Sequence, residues 1–197
     1  MQIELRQESP LVGARNLLSD APANLFEQVR IAESPFLELN NIRGDSDSPE
    51  FQRIVRDVVG ADLPVRPNTV AQGKRYTLWW LSPDEWLAQA VAAGPATLEG
   101  ELRARFEGLF ASTVDVTSGY TTVVVSGEHA ADVLGMGCPL DFHPRVFGPD
   151  QCAQSHFFKA TIAVRRQRDD AWNLIVRRSF ADYAVRMLAD ACAGLCP

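Results

Sequence analysis

The sequence predicts an α+β fold with mixed, largely antiparallel sheets and several helices. Short β-rich segments recur along the chain, and they alternate irregularly with segments of helical periodicity. The order is roughly β-β-α-β-α-α-β-β-α-β-β-α, and adjacent strands separated by turn residues indicate hairpins rather than parallel crossovers. The repeated β-β-α order from Ser112 onward suggests a split or ferredoxin-like unit.

Length and composition predict one folded unit with an arm. The 197 residues are 46% hydrophobic and 22% charged, as is usual for a globular protein. We expect an N-terminal arm over residues 1–28 and a single α+β domain over residues 29–197. The alternative is two interlocked halves, 29–111 and 112–197. A net charge of −6 disfavours a nucleic-acid partner, because such proteins carry basic surfaces.

The sequence shows no secretion signal and no membrane span. The first ten residues carry Glu4, Arg6 and Glu8 and contain no apolar stretch of the signal-peptide kind. Aliphatic runs such as residues 123–125 are far shorter than the roughly 20 residues of a membrane helix. We therefore expect a cytoplasmic protein with no membrane partner.

One helix is clearly marked in the first third of the chain. A short helical turn is predicted over residues 25–28, followed by extended chain over 29–43. Ser48 is a good N-cap, Pro49 suits the first helical position, and Gly60 is placed to end the helix. The apolar residues between them follow helical spacing: Phe51, Ile54, Val55, Val58 and Val59.

The middle of the chain predicts one strand and two helices. The strand covers residues 76–81 and contains Trp79 and Trp80. Adjacent residues of a strand face opposite sides of the sheet. One tryptophan can therefore enter the core, and another part of the protein must cover the other. Ser82-Pro83-Asp84-Glu85 resembles a capping box and predicts a helix carrying Trp86 and Leu87. A second helix, from Leu98 to Phe110, follows the break at Gly94-Pro95.

The last third predicts two hairpins, each followed by a helix. Residues 112–117 and 120–126 form the first hairpin around Ser118-Gly119, and a short helix covers 127–134. Residues 152–166 and 172–178 form the second hairpin. Ser179 is the predicted N-cap of the final helix, which fades at Gly194.

The segment between these hairpins, residues 138–151, is long and contains three prolines. Four apolar side chains punctuate it: Leu140, Phe142, Val146 and Phe147. Such a loop either folds back on its own domain or packs on a partner. The prolines reduce the entropy lost on docking, and Arg145 could anchor a partner carboxylate, so we expect a partner interface.

The motifs of common active sites are incomplete or missing. Gly135-Met136-Gly137 lacks the third glycine of a dinucleotide fingerprint. Cys138 has His143 and His156 as conceivable bases, although a small buried side chain is the simpler interpretation. The cysteine and histidine spacings do not suit zinc, and without a signal peptide we expect four reduced thiols.

Charged and aromatic residues offer binding surfaces rather than catalysis. Arg165, Arg166 and Arg168 together with Arg177 and Arg178 could form a basic patch for a polyanion, or a solvated hairpin face. The tryptophan pair could stack on a planar ligand, but burial in a core and an interface is the better interpretation. The residues themselves therefore predict an interaction protein.

Five stretches of the sequence form recognisable motifs: Ser9-Pro10-Leu11, Ser82-Pro83-Asp84-Glu85-Trp86-Leu87, Gly137-Cys138-Pro139-Leu140-Asp141-Phe142-His143-Pro144, Cys152-Ala153-Gln154 and Arg177-Arg178-Ser179-Phe180-Ala181-Asp182-Tyr183. Together they resemble the gamma subunit family of heterotetrameric sarcosine oxidases. The resemblance runs almost from end to end of the chain. It implies a fold similar to the folate-binding region of glycine-cleavage aminomethyltransferases.

The resemblance also implies a function within a complex. Alpha, beta and delta subunits would be the partners, and FAD, FMN and NAD would be bound by those other subunits. The complex would oxidise sarcosine to glycine, hydrogen peroxide and formaldehyde or 5,10-methylenetetrahydrofolate. No catalytic, cofactor-binding or metal residue is assigned to this chain.

Two other functions stay open from the sequence. One is a stand-alone tetrahydrofolate-binding protein of the same fold, similar to iron–sulfur-repair proteins. Those proteins carry Lys-Gly-Cys-Tyr, whereas Met136 precedes Gly137 and Pro139 follows Cys138 here. The other is a scaffold of an unrelated complex. Co-purification separates the three, because only the gamma subunit would retain flavin-containing partners.

Overall fold

The computed structural model describes residues 7–18, 29–167 and 171–195. Its strands are β1 (Arg30–Ser34), β2 (Leu39–Arg43), β3 (Val70–Gln72), β4 (Tyr76–Ser82), β5 (Glu85–Ala90), β6 (Ser112–Asp115), β7 (Tyr120–Ser126), β8 (Cys152–Phe157), β9 (Ala160–Arg166) and β10 (Ala171–Arg177). In this described part they form two five-stranded sheets, ordered β1-β7-β10-β9-β8 and β3-β4-β5-β2-β6. Neighbouring strands pair antiparallel throughout both sheets.

Helices cover the outer face of each sheet. The α-helices are α1 (Pro49–Val59), α2 (Leu98–Arg105), α3 (Ala130–Gly137) and α4 (Ala181–Ala193), and short 3₁₀ helices cover Val12–Leu17, Thr117–Gly119 and Arg178–Phe180. The first sheet packs its outer face on α3 and α4, and the second packs on α1 and α2. The inner faces meet in a smaller cluster of Leu39, Trp79, Leu87, Cys152 and Ile175. This four-layer arrangement confirms the α+β class and the largely antiparallel sheets.

Helix α1 forms as its sequence predicts. The Ser48 hydroxyl accepts a hydrogen bond from the Phe51 amide at 3.3 Å, and Pro49 occupies the first turn. Gly60 ends the helix with φ at 79°, a left-handed conformation that glycine adopts without a steric penalty. All five apolar residues named for this helix are buried.

The helix predicted after Ser82 is wrong, because the segment forms a hairpin of β4 and β5. Trp86 packs in the core under α1 while Leu87 packs between the sheets, so consecutive side chains are buried on opposite faces. Only a strand provides this two-sided burial. The Ser82 hydroxyl donates to the Asp84 carboxylate at 2.6 Å, which uses the supposed capping residues in a turn.

The hairpin predicted around Ser118-Gly119 is also wrong. Strand β6 pairs with β2 in the second sheet, whereas β7 pairs with β1 and β10 in the first. The 3₁₀ helix Thr117–Gly119 carries the chain from one sheet to the other. Likewise, the extended segment 29–43 divides into β1 and β2, one in each sheet. Each of the halves 29–111 and 112–197 therefore contributes one strand to the sheet formed mainly by the other half: β1 from the first half and β6 from the second.

Two boundaries differ in the last third of the chain. Residues 152–166 form two strands, because Phe158 turns the chain with φ at 48°. Ser179 lies inside a 3₁₀ helix, so the N-cap of α4 is Phe180, which makes no side-chain capping bond. The end of the final helix at Gly194 is as predicted.

Part of the predicted arm packs on the first sheet. Leu11 and Ala14 are buried in the core beneath α4. The helical turn predicted over residues 25–28 lies outside the described residues. The two sheets are also tied at one end, where the Cys152 amide donates to the Asn68 carbonyl and the Val70 amide donates to the Asp150 carbonyl.

Candidate functional site

Beside their apolar contact, the inner faces of the two sheets enclose a polar cavity of about 390 Å³. Thr77 and Gln89 line it from the second sheet, and Thr122, Arg165 and Asn173 line it from the first. These five are half of the ten buried polar or charged residues in the described part of the chain. Polar burial is thus concentrated where the two layers face each other.

Strand register brings these side chains together. Thr77 pairs with Gln89 across β4 and β5, and Arg165 pairs with Asn173 across β9 and β10. Residues paired directly across two strands point to the same face of a sheet. Each sheet therefore presents a row of polar side chains to the other sheet.

Hydrogen bonds satisfy most of the amides in the cavity. Gln89 Nε2 donates to Thr122 Oγ1 at 2.8 Å and so joins the second sheet to the first. Gln167 Nε2 donates to Asn173 Oδ1 at 2.7 Å. Buried amides held in this way fix the shape of the cavity wall.

Arg165 differs from its neighbours because it is buried without a counter-ion. The side chain is 8% exposed, and its guanidinium carbon lies 5.5 Å from the ring centroid of Trp79. Within residues 7–18, 29–167 and 171–195 it makes no hydrogen bond and no ion pair, and its Nε is buried without an acceptor. Burial lowers the pKa of Arg165, but a guanidinium stays charged at neutral pH.

The thiol across from Arg165 does not balance this charge. Cys152 pairs with Arg165 in the register of β8 and β9. Burial raises the pKa of the Cys152 thiol to about 12, so the group is neutral at physiological pH. It donates instead to the carbonyl oxygens of Thr69 and Trp80 at 3.4 and 3.5 Å.

The arrangement is suited to binding. Among the described residues that line the cavity, Arg165 is the single ionisable side chain. Amides and hydroxyls surround it, and these can donate or accept hydrogen bonds at neutral pH without changing charge. The cavity can therefore hold an anionic ligand by charge and hydrogen bonding.

The basic patch, one of the two interpretations of the arginines, does not form among the described members of the group. Arg165 faces the cavity, whereas Arg166, its neighbour in the strand, lies over the Trp172 ring of the outer core. Arg178 donates to the backbone carbonyl of Glu8 at 2.6 Å. Adjacent strand residues alternate between faces, so 165 and 166 cannot share one patch. The predicted member Arg168 lies outside the described residues.

The cysteine and histidine candidates are not brought together. Cys138 is buried in the core of the first sheet, and its thiol donates to the Ser155 hydroxyl at 3.5 Å. His143 Nδ1 accepts from the Arg145 amide, and His156 Nδ1 lies 3.0 Å from the Phe158 carbonyl. Cys138, Cys152 and Cys192 are buried, while Cys196 lies outside the described residues.

Of the two glycines in the incomplete fingerprint, only Gly137 has a packing role; a Cβ on Gly135 would meet open space. Gly135 and Gly137 both belong to α3, so the segment is helical rather than a loop before a helix. A Cβ on Gly137 would lie 2.5 Å from the Phe158 ring, which requires glycine there. Within the described residues, no group of three or more His, Cys, Asp or Glu side chains is placed to hold a metal ion.

The loop 138–151 folds back on its own domain. Phe142 and Phe147 are buried and lie edge-on to Trp172, with ring centroids at 4.9 and 5.2 Å. The expected partner interface is therefore wrong for these two side chains, because they complete the core of the first sheet. Val146 is exposed, and Pro149 at the end of the loop lines the polar cavity.

The two tryptophans behave as predicted. Trp79 is fully buried between the sheets, and Trp80 is partly buried against the core under α1 and α2. The cavity residues Gln89 and Asn173, in contrast, were not identified from the sequence. A usable signal was present, since each is a single amide flanked on both sides by apolar residues of its strand.

Comparisons with known proteins give a consistent result. A family model described as the sarcosine oxidase gamma subunit family matches residues 43–194. The chain is 30% identical to sarcosine oxidase subunit gamma of Corynebacterium sp. (strain P-1) over 164 residues, which are 83% of this chain and 79% of the relative. It is 31% identical to the Arthrobacter sp. subunit gamma over 134 residues, 68% of this chain and 65% of the relative.

Solved structures show the same fold. A chain of the heterotetrameric sarcosine oxidase from Corynebacterium sp. U-96 matches with a TM-score of 0.87 at 23% identity, covering 97% of both chains. Aminomethyltransferase T of the glycine cleavage system from Bartonella henselae matches with a TM-score of 0.60 at 15% identity, covering 84% of this chain and 46% of that chain. The second match confirms the predicted likeness to the aminomethyltransferases.

No helix in the described part of the chain is long and apolar enough to cross a membrane. The family model spans more than half of the chain. The subunit gamma of Corynebacterium sp. (strain P-1) aligns with this chain over most of the length of each protein. The chain therefore belongs to the sarcosine oxidase gamma subunit family.

Proposed function

We propose that this chain is the non-catalytic gamma subunit of a cytoplasmic, heterotetrameric sarcosine oxidase, assembled with alpha, beta and delta subunits. Sarcosine, oxygen and water would give glycine, formaldehyde and hydrogen peroxide. With tetrahydrofolate in place of water, the one-carbon product is 5,10-methylenetetrahydrofolate. FAD, FMN and NAD are bound by the other subunits, and this chain contributes binding surface. Family membership supports the proposal.

The observation that carries this proposal is an exposed aromatic side chain beside an open sheet edge. Phe110 is fully exposed, at 101%, and lies just before β6. Strand β6 is the edge of the second sheet, and Val114 on this strand is also exposed. An exposed edge with apolar side chains is a site for contact with another chain.

The surroundings of Phe110 have the composition of a subunit interface. A groove next to it has Phe106 and Ala111 in its lining, with Arg103 and Glu107 also present. Protein interfaces commonly combine an apolar centre with a charged rim, and an aromatic anchor supplies much of the binding energy. We assign this surface to another subunit of the same oxidase.

Co-expression tests the assignment. The tagged chain is produced alone and together with the three other subunits, then captured and assayed for flavin absorbance and sarcosine-dependent peroxide. Captured alone, the chain is colourless and inactive; captured with its partners, it brings flavin and activity. Phe110→Ser weakens assembly about 30-fold, the effect of removing an anchor worth about 2 kcal/mol.

Val65→Ser is the control, because Val65 is also an exposed apolar side chain, at 59%, but lies on the link after α1. It leaves assembly unchanged, and neither substitution moves the melting temperature of the chain. Normal assembly of the Phe110 variant would exclude β6 as the interface. Flavin or peroxide production from the chain alone would show that the non-catalytic role is wrong.

A further inference from the structure

The described residues of this chain offer no counter-ion for the buried charge of Arg165. Removing a guanidinium from water costs several kcal/mol unless an anion compensates, and buried charges in proteins are normally paired. Trp79, the ring beneath it, also has a buried Nε1 that lacks an acceptor. Arg165 Nε and Trp79 Nε1 are both buried, but the two terminal nitrogens of Arg165 are not among the buried unpaired atoms. Arg165 lines the cavity, so these terminal nitrogens are the donors that a ligand there would meet.

We infer that the cavity between the two sheets binds a small monocarboxylate, which pairs with the guanidinium of Arg165. A carboxylate matches the planar fork of a guanidinium and forms two parallel hydrogen bonds with it. Arg165 lines the cavity, and its guanidinium carbon lies 5.5 Å from the ring centroid of Trp79. The aromatic ring holds the guanidinium in place before the ligand arrives.

The charge of the lining favours one negative charge over two. Among the described lining residues there is one cation and no carboxylate, and none of these residues comes from the four α-helices. Phosphate sites usually add a helix N-terminus or further basic residues. Hydroxyls of Thr77 and Thr122 and the amide of Asn173 suit the remaining lone pairs of a carboxylate.

The size of the cavity limits the rest of the ligand. About 390 Å³ lies at the lower end of the range for small-molecule sites and exceeds what acetate alone needs. Leu37, Ala90 and Pro149 give the lining an apolar part. We therefore expect a monocarboxylate with a compact apolar body, bound more tightly than acetate.

Thermal unfolding of the full chain, in a buffer free of carboxylates, tests this site. The probes are acetate and benzoate, each compared with its neutral amide, acetamide or benzamide, at equal ionic strength. Benzoate raises the melting temperature saturably, by about 3 to 6 °C at ten times its dissociation constant. Acetate acts at higher concentration, and the amides have no effect.

Two variants of Arg165 separate binding from a structural role. Arg165→Met abolishes the benzoate response, and without ligand it melts at or above the wild-type temperature, because a buried unpaired charge has been removed. Arg165→Lys keeps the charge but loses the two-bond geometry, so benzoate binds about tenfold more weakly. Arg177→Met, at an exposed arginine stacked on Tyr120, is the matched control and keeps the full response.

Three results would overturn the inference. They are an equal response to benzoate and benzamide, an unchanged benzoate response in both Arg165 variants, and no response of the wild-type chain up to tens of millimolar. A lower melting temperature of Arg165→Met, with no ligand response in the wild type, would assign Arg165 a structural role. The test needs no other subunit, so it succeeds or fails independently of the assembly proposal.

Discussion

Glu38 shows how one buried carboxylate can hold three parts of this fold. Its oxygens accept hydrogen bonds from the Tyr76 hydroxyl at 2.7 Å, the Leu98 amide at 2.8 Å and the Asn40 side chain at 3.1 Å. Thr97, at the N-cap of α2, makes no side-chain capping bond. Glu38, which is distant in the sequence, therefore caps the N-terminus of α2 with the negative charge that such an end favours.

This network gives the protein a predictable response to high pH. Burial, reinforced by the hydrogen bond to Glu38, raises the pKa of Tyr76 to about 12. Unfolded tyrosine titrates near pH 10. Between pH 10 and about 12 the folded state retains a proton that the unfolded chain has lost. The resulting stabilisation is complete below pH 10 and disappears as the pH rises toward 12.

Tyr76→Phe removes this pH dependence. At pH 8 we expect the variant to be less stable by about 1.5 to 3 kcal/mol, the value of a hydrogen bond to a charged acceptor. Above pH 10 its free energy of unfolding falls less steeply than that of the wild type, so the two curves converge. Urea titrations at intervals from pH 8 to 11.5 measure both. Parallel curves would show that the folded state holds the Tyr76 proton no more tightly than the unfolded chain does.

At the level of elements, local signals predict some segments well and others poorly. Helix α1 carries its N-cap, its apolar stripe and its terminating glycine within its own sequence, so nothing distant decides its form. The segment after Ser82 has equally good capping residues but forms β5. The reason is that Trp86 and Leu87 are buried in two different hydrophobic clusters, on opposite faces of the sheet. Tertiary burial overrides local propensity there.

The polar cavity shows a second limit of sequence reasoning. Arg165 could be identified as a candidate binding residue. Its surroundings, however, come from the register of strands that are far apart in the sequence, such as those holding Thr77 and Asn173. Gln89 and Thr122 meet across two sheets, and no local pattern links them. The turn at Phe158 could not be predicted from the sequence either, because phenylalanine rarely adopts a positive φ.

The loop 138–151 belongs to the core, and its two kinds of apolar side chain should behave differently. Phe142→Ala leaves a cavity against Trp172 and Phe147, so we expect a loss of about 3 to 5 kcal/mol in the free energy of unfolding. Val146→Ala, at an exposed position of the same loop, changes it by less than about 0.5 kcal/mol.

Urea denaturation of the isolated chain measures both loop variants. Similar small effects at the two positions would mean that the loop does not pack as part of the core. Assembly with partner subunits should fall for Phe142→Ala only in proportion to the lost stability. If Phe142→Ala weakened assembly without lowering stability, the loop would be an interface with a partner subunit.

At the scale of the whole molecule, the exchange of β1 and β6 makes each sheet depend on both ends of the chain. The first sheet takes β1 from residues 30–34, and Leu11 also packs in its core. The second sheet takes β6 from residues 112–115. A chain cut between residues 111 and 112 thus leaves both sheets incomplete, and the cavity walls come from both pieces.

We therefore expect that fragments 1–111 and 112–197 do not fold alone but fold together when mixed. Each fragment by itself exposes apolar surface that its missing strand would cover, and that surface cannot offset the entropy of ordering the chain. Circular dichroism during urea titration of each fragment and of the equimolar mixture measures this. Ile31→Ser in the first fragment prevents complementation because Ile31 is fully buried, whereas Ala32→Ser, on the exposed face of β1, permits it. Cooperative unfolding of fragment 112–197 alone would show instead that its sheet is stable without β1.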